Sequence, residues 1–346
     1  MSNNDWWTQR LRRREVLVGA TAIASGAVLV SCNDASPQPT TTQKARRHTI
    51  ALVMGIQNDS FYITMQKGAQ ARAAELGVTF IADAPVKFDP ALQTPIVEKM
   101  VAQHVDAILI AACDKEVMIE PLKHAYDAGI KIISLDTSIG DGDYVHGPVS
   151  FPLSYIGSNN FEGGKIAGNA LIKAIGGKGK IYIQNVKPSI SAVMLREQGF
   201  RSAIEATKGA VTVVAVDYNN SNSDTATEQT ASILQHVNDL SAIFGCNMPS
   251  AQGAARAVKD AKKEGTIKVA AIDAPDNAIM DLRNGVINMA IAQKPAEMGR
   301  IGVEYAIKAL SGETSNLDKR VVTGFVIIDK NNIDTPQAQD AIYRSK

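Results

Sequence analysis

The sequence is poor in the side chains that covalent chemistry uses. Its three cysteines, Cys32, Cys113 and Cys246, stand far apart with no paired spacing, which excludes a disulfide framework and a cysteine-built metal site. Cys113 and Cys246 each close an apolar run and read as small buried hydrophobes at strand ends. The five histidines, His48, His104, His124, His146 and His236, are scattered singly. No nucleophile, base and orienting acid are gathered, so neither catalysis, a metal nor a cofactor is expected. Gly176-Gly177-Lys178-Gly179-Lys180 lacks the spacing and the trailing Ser or Thr of a phosphate-binding loop and reads as a turn from helix into strand. Charge of one sign is missing too. The formal net charge is +1, which gives no footing to a nucleic-acid partner. The apolar stretch from Val16 to Val30 falls short of the roughly 20 residues that a membrane-spanning helix needs.

That stretch has another use. Arg12, Arg13 and Arg14 precede it and small residues end it, and a basic front before a short apolar middle is the architecture of a secretion signal. Arg13-Arg14-Glu15-Val16-Leu17 resembles a twin-arginine export signal, and Leu29-Val30-Ser31-Cys32 resembles the lipobox that is cut just before an acylated cysteine. Residues 1–31 are therefore expected to be removed. Cys32 then carries the lipid that anchors the protein at the outer face of the cytoplasmic membrane or in the periplasm, since each buried acyl methylene contributes about 0.8 kcal/mol. Residues 32–47 are rich in Ser, Pro, Thr and Gln, cannot bury enough surface to fold, and read as a flexible tether. Loss of residues 1–31 removes four arginines and two acids, which moves the net charge from +1 to about −1. Nearly neutral protein suits an uncharged solute.

About 300 residues remain, more than one core usually serves, so two domains are expected. From His48 short β-branched runs alternate with amphipathic stretches, the signature of βα units around a parallel sheet. Strands are expected over 49–55, 79–82, 107–111 and 131–135, with helices over 61–76, 90–104 and 116–128. Gly77 and Gly129 sit just past helix ends, where a left-handed residue is easiest for glycine. A loop over 140–152 interrupts the rhythm, and a second series of the same kind runs from Tyr155 to Ile272. Beyond it a strand over 286–292, a helix over 295–310 and one last strand over 321–328 are expected. Two similar series mean two similar lobes, because one sheet of so many strands would be unusually wide.

Thr49-Ile50-Ala51-Leu52-Val53 with Asn58, Phe61 and Tyr62 is followed by Lys67-Gly68-Ala69-Gln70, Val105 to Ile110, Gly129 to Asp136 and Tyr155 to Asn160 with Gly163-Gly164-Lys165. Arg196-Glu197-Gln198-Gly199-Phe200, Ile243 to Asn247, Ala271-Ile272-Asp273 and Ile291 to Pro295 complete the series in order. Together these segments resemble the ribose-type periplasmic binding proteins, whose fold also forms the effector domain of lactose-repressor-like regulators. The resemblance implies a type I periplasmic binding protein: an α/β fold of two similar doubly wound parallel-sheet lobes. Their three-crossing hinge lies near Ser158, Gln293 and Thr323, and the ligand sits in the cleft between them. The first lobe would comprise 48–158 plus 294–322, and the second 159–293 plus 323–346.

It also implies which side chains meet the ligand. Asn58, Asp59, Phe61, Tyr62, Asp136 and Thr137 are expected on one jaw, Arg196, Asn247 and Asp273 on the other, and Gln293 at the hinge. Carboxylates that accept from neighbouring hydroxyls and an arginine fork that donates to them suit a monosaccharide or polyol. Phe61 or Tyr62 would cover the C–H face of a sugar ring. The sequence departs from the family where Thr137 follows Asp136 in place of an arginine and where Ile272 stands in place of an aromatic. Tyr218 is then the candidate for a second ring, and a pentose, a hexose or a polyol all fit. A monomer that delivers the solute to the permease of an ABC importer is expected, and a receptor feeding a chemotaxis or sensor protein is the alternative. A transcription regulator of the same fold would carry a DNA-reading helix-turn-helix where this chain has its export signal.

Overall fold

A computed structural model describes residues 47–344. The export signal, Cys32 and all but the last residue of the tether lie outside the described residues. From Arg47 the chain builds β1 (Thr49–Val53), α1 (Ser60–Glu75), β2 (Thr79–Asp83), α2 (Pro90–Ala102), β3 (Ala107–Ile110), α3 (Ile119–Asp127), β4 (Lys131–Leu135) and β5 (Tyr155–Ser158). It continues as α4 (Asn160–Ala174), β6 (Gly179–Asn185), α5 (Ser191–Glu205), β7 (Val211–Tyr218), α6 (Ser223–His236), β8 (Leu240–Gly245), α7 (Met248–Asp260), β9 (Lys268–Ile272), α8 (Asp276–Asn284) and β10 (Met289–Ala292). Last come α9 (Pro295–Leu310), β11 (Arg320–Thr323), β12 (Val326–Asp329) and α10 (Pro336–Asp340).

The strands form two six-stranded sheets, ordered β11-β5-β4-β3-β1-β2 and β12-β10-β9-β8-β6-β7. The two orders are the same once β1 is matched with β6, β4 with β9, and β11 with β12. Each sheet carries helices on both faces, which is why central strands such as Ala107–Ile110 are apolar throughout and wholly buried rather than alternating. The chain changes sheet between β5 and β6, between β10 and β11, and between β11 and β12. Local chemistry sets the helix starts: Asp59, Asp89, Asn159, Asn222 and Asn247 each accept amide hydrogens at the head of the helix they precede. Gly77 and Gly129 have φ of +68° and +92° just past α1 and α3, as their spacing predicts.

The expected single strand over 321–328 is two strands. β11 pairs in parallel with β5 of the first sheet, and β12 pairs antiparallel with β10 of the second, with Gly324 and Phe325 between them. A period-two pattern shows that a segment is extended but not that its partner changes midway. Helix α8 was absent from the sequence reading because Pro275 and polar residues open it and only Ala278, Ile279 and Leu282 are buried.

One close helix crossing repeats in the two lobes. In the first, Gly68 of α1 faces Ala296 of α9, and Gly299 of α9 faces Met65 of α1; in the second, Gly199 of α5 faces Phe161 of α4, and Gly164 of α4 faces Arg196 of α5. A Cβ at any of the four would overlap the facing backbone carbonyl. Since Gly199 lies one turn beyond Arg196, the Gly199→Ala variant should push α5 away from α4. We expect it to lower unfolding free energy by about 1–3 kcal/mol, the usual cost of overpacking, measured by urea denaturation.

Candidate functional site

The carboxyl ends of the parallel strands of both sheets open onto one cavity, with about 470 Å³ of empty space counted out into open solvent. Asp59 reaches it from the turn after β1, Phe61 and Tyr62 from the first turn of α1, and Asp136 and Thr137 from the end of β4. Arg196 comes from α5, Asn247 from the end of β8, Asp273 from the end of β9 and Gln293 from the end of β10. Asn58 is not brought there. It is exposed, with φ +59°, in the turn that delivers Asp59 to the head of α1.

Asp136 and Asp273 are equivalent residues in the two lobes, each the first residue past its strand. Both lie in the left-handed region, with φ +60° and +85°, a conformation that Asp tolerates better than most residues. Each donates its amide to the neighbouring strand, Asp136 to the Ile156 carbonyl at 3.0 Å and Asp273 to the Ile291 carbonyl at 2.9 Å. The chain thus turns sharply at both places and leaves the carboxylates facing inward. Asp136 Oδ2 accepts from the Tyr62 hydroxyl at 3.1 Å, whereas its Oδ1 is buried with no hydrogen-bond partner. Asp273 Oδ1 accepts from Gln293 Nε2 at 2.8 Å and from the Tyr343 hydroxyl at 3.2 Å, and Gln293 Oε1 is again buried and unpartnered.

Arg196, 3% exposed, is the cation among the residues lining the cavity. Its Nε donates to Asn160 Oδ1 at 2.8 Å and its Nη1 to the Cys246 carbonyl at 2.9 Å, so α4 and β8 hold the guanidinium from behind. Nη2 lies 4.0 Å from Asp136 Oδ1, close enough for charge attraction but too far for a hydrogen bond. Three carboxylates around one guanidinium keep protons more readily than carboxylates in water. Burial pushes Asp136 up to about 7, against the pull of Arg196 and with help from Asp273; burial, then Asp273, raises Asp59 to about 6. Asp273 is raised by burial as well, with Arg196 opposing.

Some of these side chains already have structural work. Asp59 and Asn247 cap α1 and α7, and Thr137 donates to the Ala112 carbonyl at 2.9 Å. Asn247 also donates to Ser221 Oγ at 2.9 Å and accepts from Ser250 Oγ at 2.6 Å. Asp136 caps no helix, so its free oxygen has no such claim on it.

Sequence reasoning missed the apolar wall of the cavity, Phe88 with Val186, Ile190 and Val193, and it missed Tyr343. Phe88 was signalled only as a lone aromatic in the short loop leaving β2. Tyr343 follows every expected element and carried no signal. Its ring meets Phe61 edge-on at 5.8 Å, while its hydroxyl accepts from the Gln293 amide at 2.6 Å. Tyr218, the candidate second ring, is 40% exposed and does not line the cavity, because it ends edge strand β7. Across the cleft the lobes touch: Lys115 donates its amide to the Ser189 carbonyl at 3.1 Å, and Ser191 Oγ accepts the Ser138 amide at 2.9 Å. Among the described residues no group of His, Cys, Asp and Glu could hold a metal ion.

Comparison with known proteins agrees with this architecture. The family model of the periplasmic binding protein domain matches residues 50–314. The chain is 30% identical to the ribose import binding protein of Haemophilus influenzae over 77% of this chain and 86% of that one. It is 26% identical to the D-ribose/D-allose-binding protein of Pseudomonas aeruginosa over 87% and 95% of the respective chains. An ABC transporter solute-binding protein from Agrobacterium vitis, solved with α-D-tagatopyranose, superposes with a TM-score of 0.84 at 42% identity, covering 86% of this chain and 99% of that one. A second from the same organism, solved with D-fucose, gives 0.80 at 29% identity over 85% and 100%. Two lobes of matching strand order, with a polar cavity between their strand ends and a family match over most of its length, show that the chain belongs to the ribose-type periplasmic binding proteins.

Proposed function

We propose that the protein captures a monosaccharide or related polyol outside the cytoplasmic membrane and delivers it, as a monomer, to the permease of an ABC importer. The observation that carries this reading is the pair of buried, unpartnered acceptors, Asp136 Oδ1 and Gln293 Oε1, beside the one guanidinium of the cavity. Buried acceptors call for donors, and a sugar brings several hydroxyls that both donate and accept. Asp136, Asp273 and Arg196 would grip the hydroxyl edge, with Gln293, Asn247, Asp59 and Thr137 beside them. Phe61 and Tyr62, edge to face at 5.2 Å, offer one ring for the C–H face. The α-D-tagatopyranose and D-fucose of the two Agrobacterium vitis proteins favour a six-carbon sugar. A screen of pentoses, hexoses and inositols by thermal shift tests the reading. A ligand at 100 times its Kd adds about 2.7 kcal/mol of stability, and no shift with any of them would overturn it.

Closure of the lobes would desolvate Arg196 between two carboxylates. Truncating it leaves those carboxylates facing one another, so Arg196→Ala should weaken affinity by about 2–5 kcal/mol. Arg196→Lys keeps the charge without the planar fork and should recover only part of this. Calorimetric titration of the folded variants measures both.

Protons should oppose the sugar. With no donor at Oδ1 Asp136 keeps its proton up to about pH 7, above the ordinary carboxylate value near 4. A hydroxyl donating to Oδ1 favours the ionised form, so binding releases protons at neutral pH. Affinity should therefore fall as pH drops from 7 to 5 and level off above 8. Folding stability contributed by this group runs the other way, growing as pH falls from 7 towards 4, because the folded state holds the proton more tightly. Titration in two buffers of different ionisation enthalpy counts the protons, and Asp136→Asn should abolish most of the release.

We place the lipid anchor at Cys32 and the export route in the twin-arginine class. Cys32→Ser should yield protein that a fatty-acid probe no longer labels, and that fractionates as soluble or unprocessed rather than with membranes.

A further inference from the structure

The cavity is chemically one-sided. Its charged and amide groups are those already described, and one wall has none. Phe88, on the loop between β2 and α2, packs against the apolar core of the second lobe, to which Val186, Ile190 and Val193 belong, and all four line the cavity. Gly55 makes room for this arrangement, since a Cβ there would stand 2.5 Å from the Phe88 ring and 2.7 Å from the Tyr62 hydroxyl.

The backbone carbonyls of that wall are already engaged, each accepting one hydrogen bond. The Val186 carbonyl accepts from Asn220 at 3.0 Å, that of Lys187 from Ile190 at 3.3 Å, that of Ser189 from Lys115 at 3.1 Å, and that of Ile190 from Met194 at 3.1 Å. The hydrogen bonds of Ser189 and Ser191 to the first lobe flank Ile190 and hold it in place. A sugar edge laid against this wall loses water and gains carbon contacts only.

We propose that the cleft selects pyranoses whose wall-facing edge carries no hydroxyl: a ring methylene, as in pentopyranoses and ketohexopyranoses, or a methyl group, as in 6-deoxyhexoses. This rests on the sugar-binding reading. The discrimination comes from Phe88, Val186, Ile190 and Val193. A hydroxymethyl group on that edge gives up water for a wall with no polar side chain and with its carbonyls already engaged, which weakens binding about tenfold or more.

Calorimetric titration with sugars that differ only at C5 tests this. L-arabinose, D-fucose and D-galactose share one ring stereochemistry and carry hydrogen, methyl or hydroxymethyl there. D-xylose, 6-deoxy-D-glucose and D-glucose form a second series, D-lyxose, D-rhamnose and D-mannose a third, and D-tagatose and D-fructose add ring methylenes. In whichever series binds, the hydrogen or methyl member should bind at least tenfold tighter than the hydroxymethyl member. Equal or tighter binding of the hydroxymethyl member overturns the selection and leaves sugar binding standing. Silence from every sugar removes both. Ile190→Ser sets the wall itself to the test. Ile190 occupies the position before α5, where Ser is a favourable cap, so the helix is retained while the wall gains a hydroxyl. The tenfold gap should shrink in this variant, and an unchanged gap would assign the discrimination to some other surface.

Discussion

Everything in the cleft is arranged around an electrostatic mismatch: three carboxylates, Asp59, Asp136 and Asp273, share a partly desolvated space with a single guanidinium. Burial there raises the affinity of all three for protons, and the charge of Asp273 adds to the effect at Asp59 and Asp136. A lone Arg196 cannot cancel them, because its hydrogen bonds go backward to Asn160 and Cys246 and its contact with Asp136 is long. The protein on its own has two ways out of this mismatch, taking up protons or parting the lobes. A polyhydroxy solute offers a third, replacing missing donors with its own. That is why binding and closure belong to one process: donors that reach both Asp136 and Asp273 stabilise the closed form more than the open one.

The backbone makes the mismatch possible. Two equivalent strands end in left-handed aspartates whose amides tie them to the next strand, so the backbone aims each carboxylate before Tyr62, or Gln293 and Tyr343, bond to it. Arg196 is positioned differently, through the close approach of α4 and α5 at Gly164 and Gly199. The same helix contact that gives Gly164 the Arg196 carbonyl as neighbour brings Asn160 within reach of the guanidinium. Glycine at the crossing is thus a constraint on the site as well as on packing. Its counterpart at Gly68 and Gly299 sets α1, and with it Phe61 and Tyr62, against the first sheet.

How much of this was legible in the chain follows from where each signal resides. Strands buried on both faces, capped helices and glycines past helix ends all write themselves locally, so the βα alternation and most element positions could be read. Residues one step beyond a strand, such as Asp136, Asp273 and Gln293, could be picked out because the resemblance to the ribose-type binding proteins marks them, and the open-sheet rule, which ties strand ends to clefts, agrees. What could not be read depends on contacts distant in sequence. The split between β11 and β12 is a change of partner, invisible to periodicity. Asn247 looks like a ligand residue and like a cap, and its bonds to Ser221 and Ser250 show that much of its capacity is spent within its own lobe. Tyr343 reaches Asp273 from 70 residues away, and no local pattern announces such a contact.

The apolar wall belongs to the same class of hidden feature, and it explains how one sugar edge can be gripped while another is merely covered. Phe88 comes from the first lobe, and Val186, Ile190 and Val193 come from the second, so the wall is complete only when the lobes meet. Ser189 and Ser191, which bond across the cleft, bracket Ile190 in the chain. Closure, exclusion of water and contact with the ligand's carbon edge are therefore joined in one short loop. The hydrogen bonds at this rim, one to the Ser189 carbonyl and one to the Ser191 hydroxyl, involve no wall side chain, whereas the fit of carbon does involve Ile190. A ligand that fits poorly at the wall would hold the rim apart and forgo the Lys115–Ser189 and Ser138–Ser191 bonds as well. Were the cleft to select in this way, the coupling of wall to rim would turn a local misfit into a failure to close.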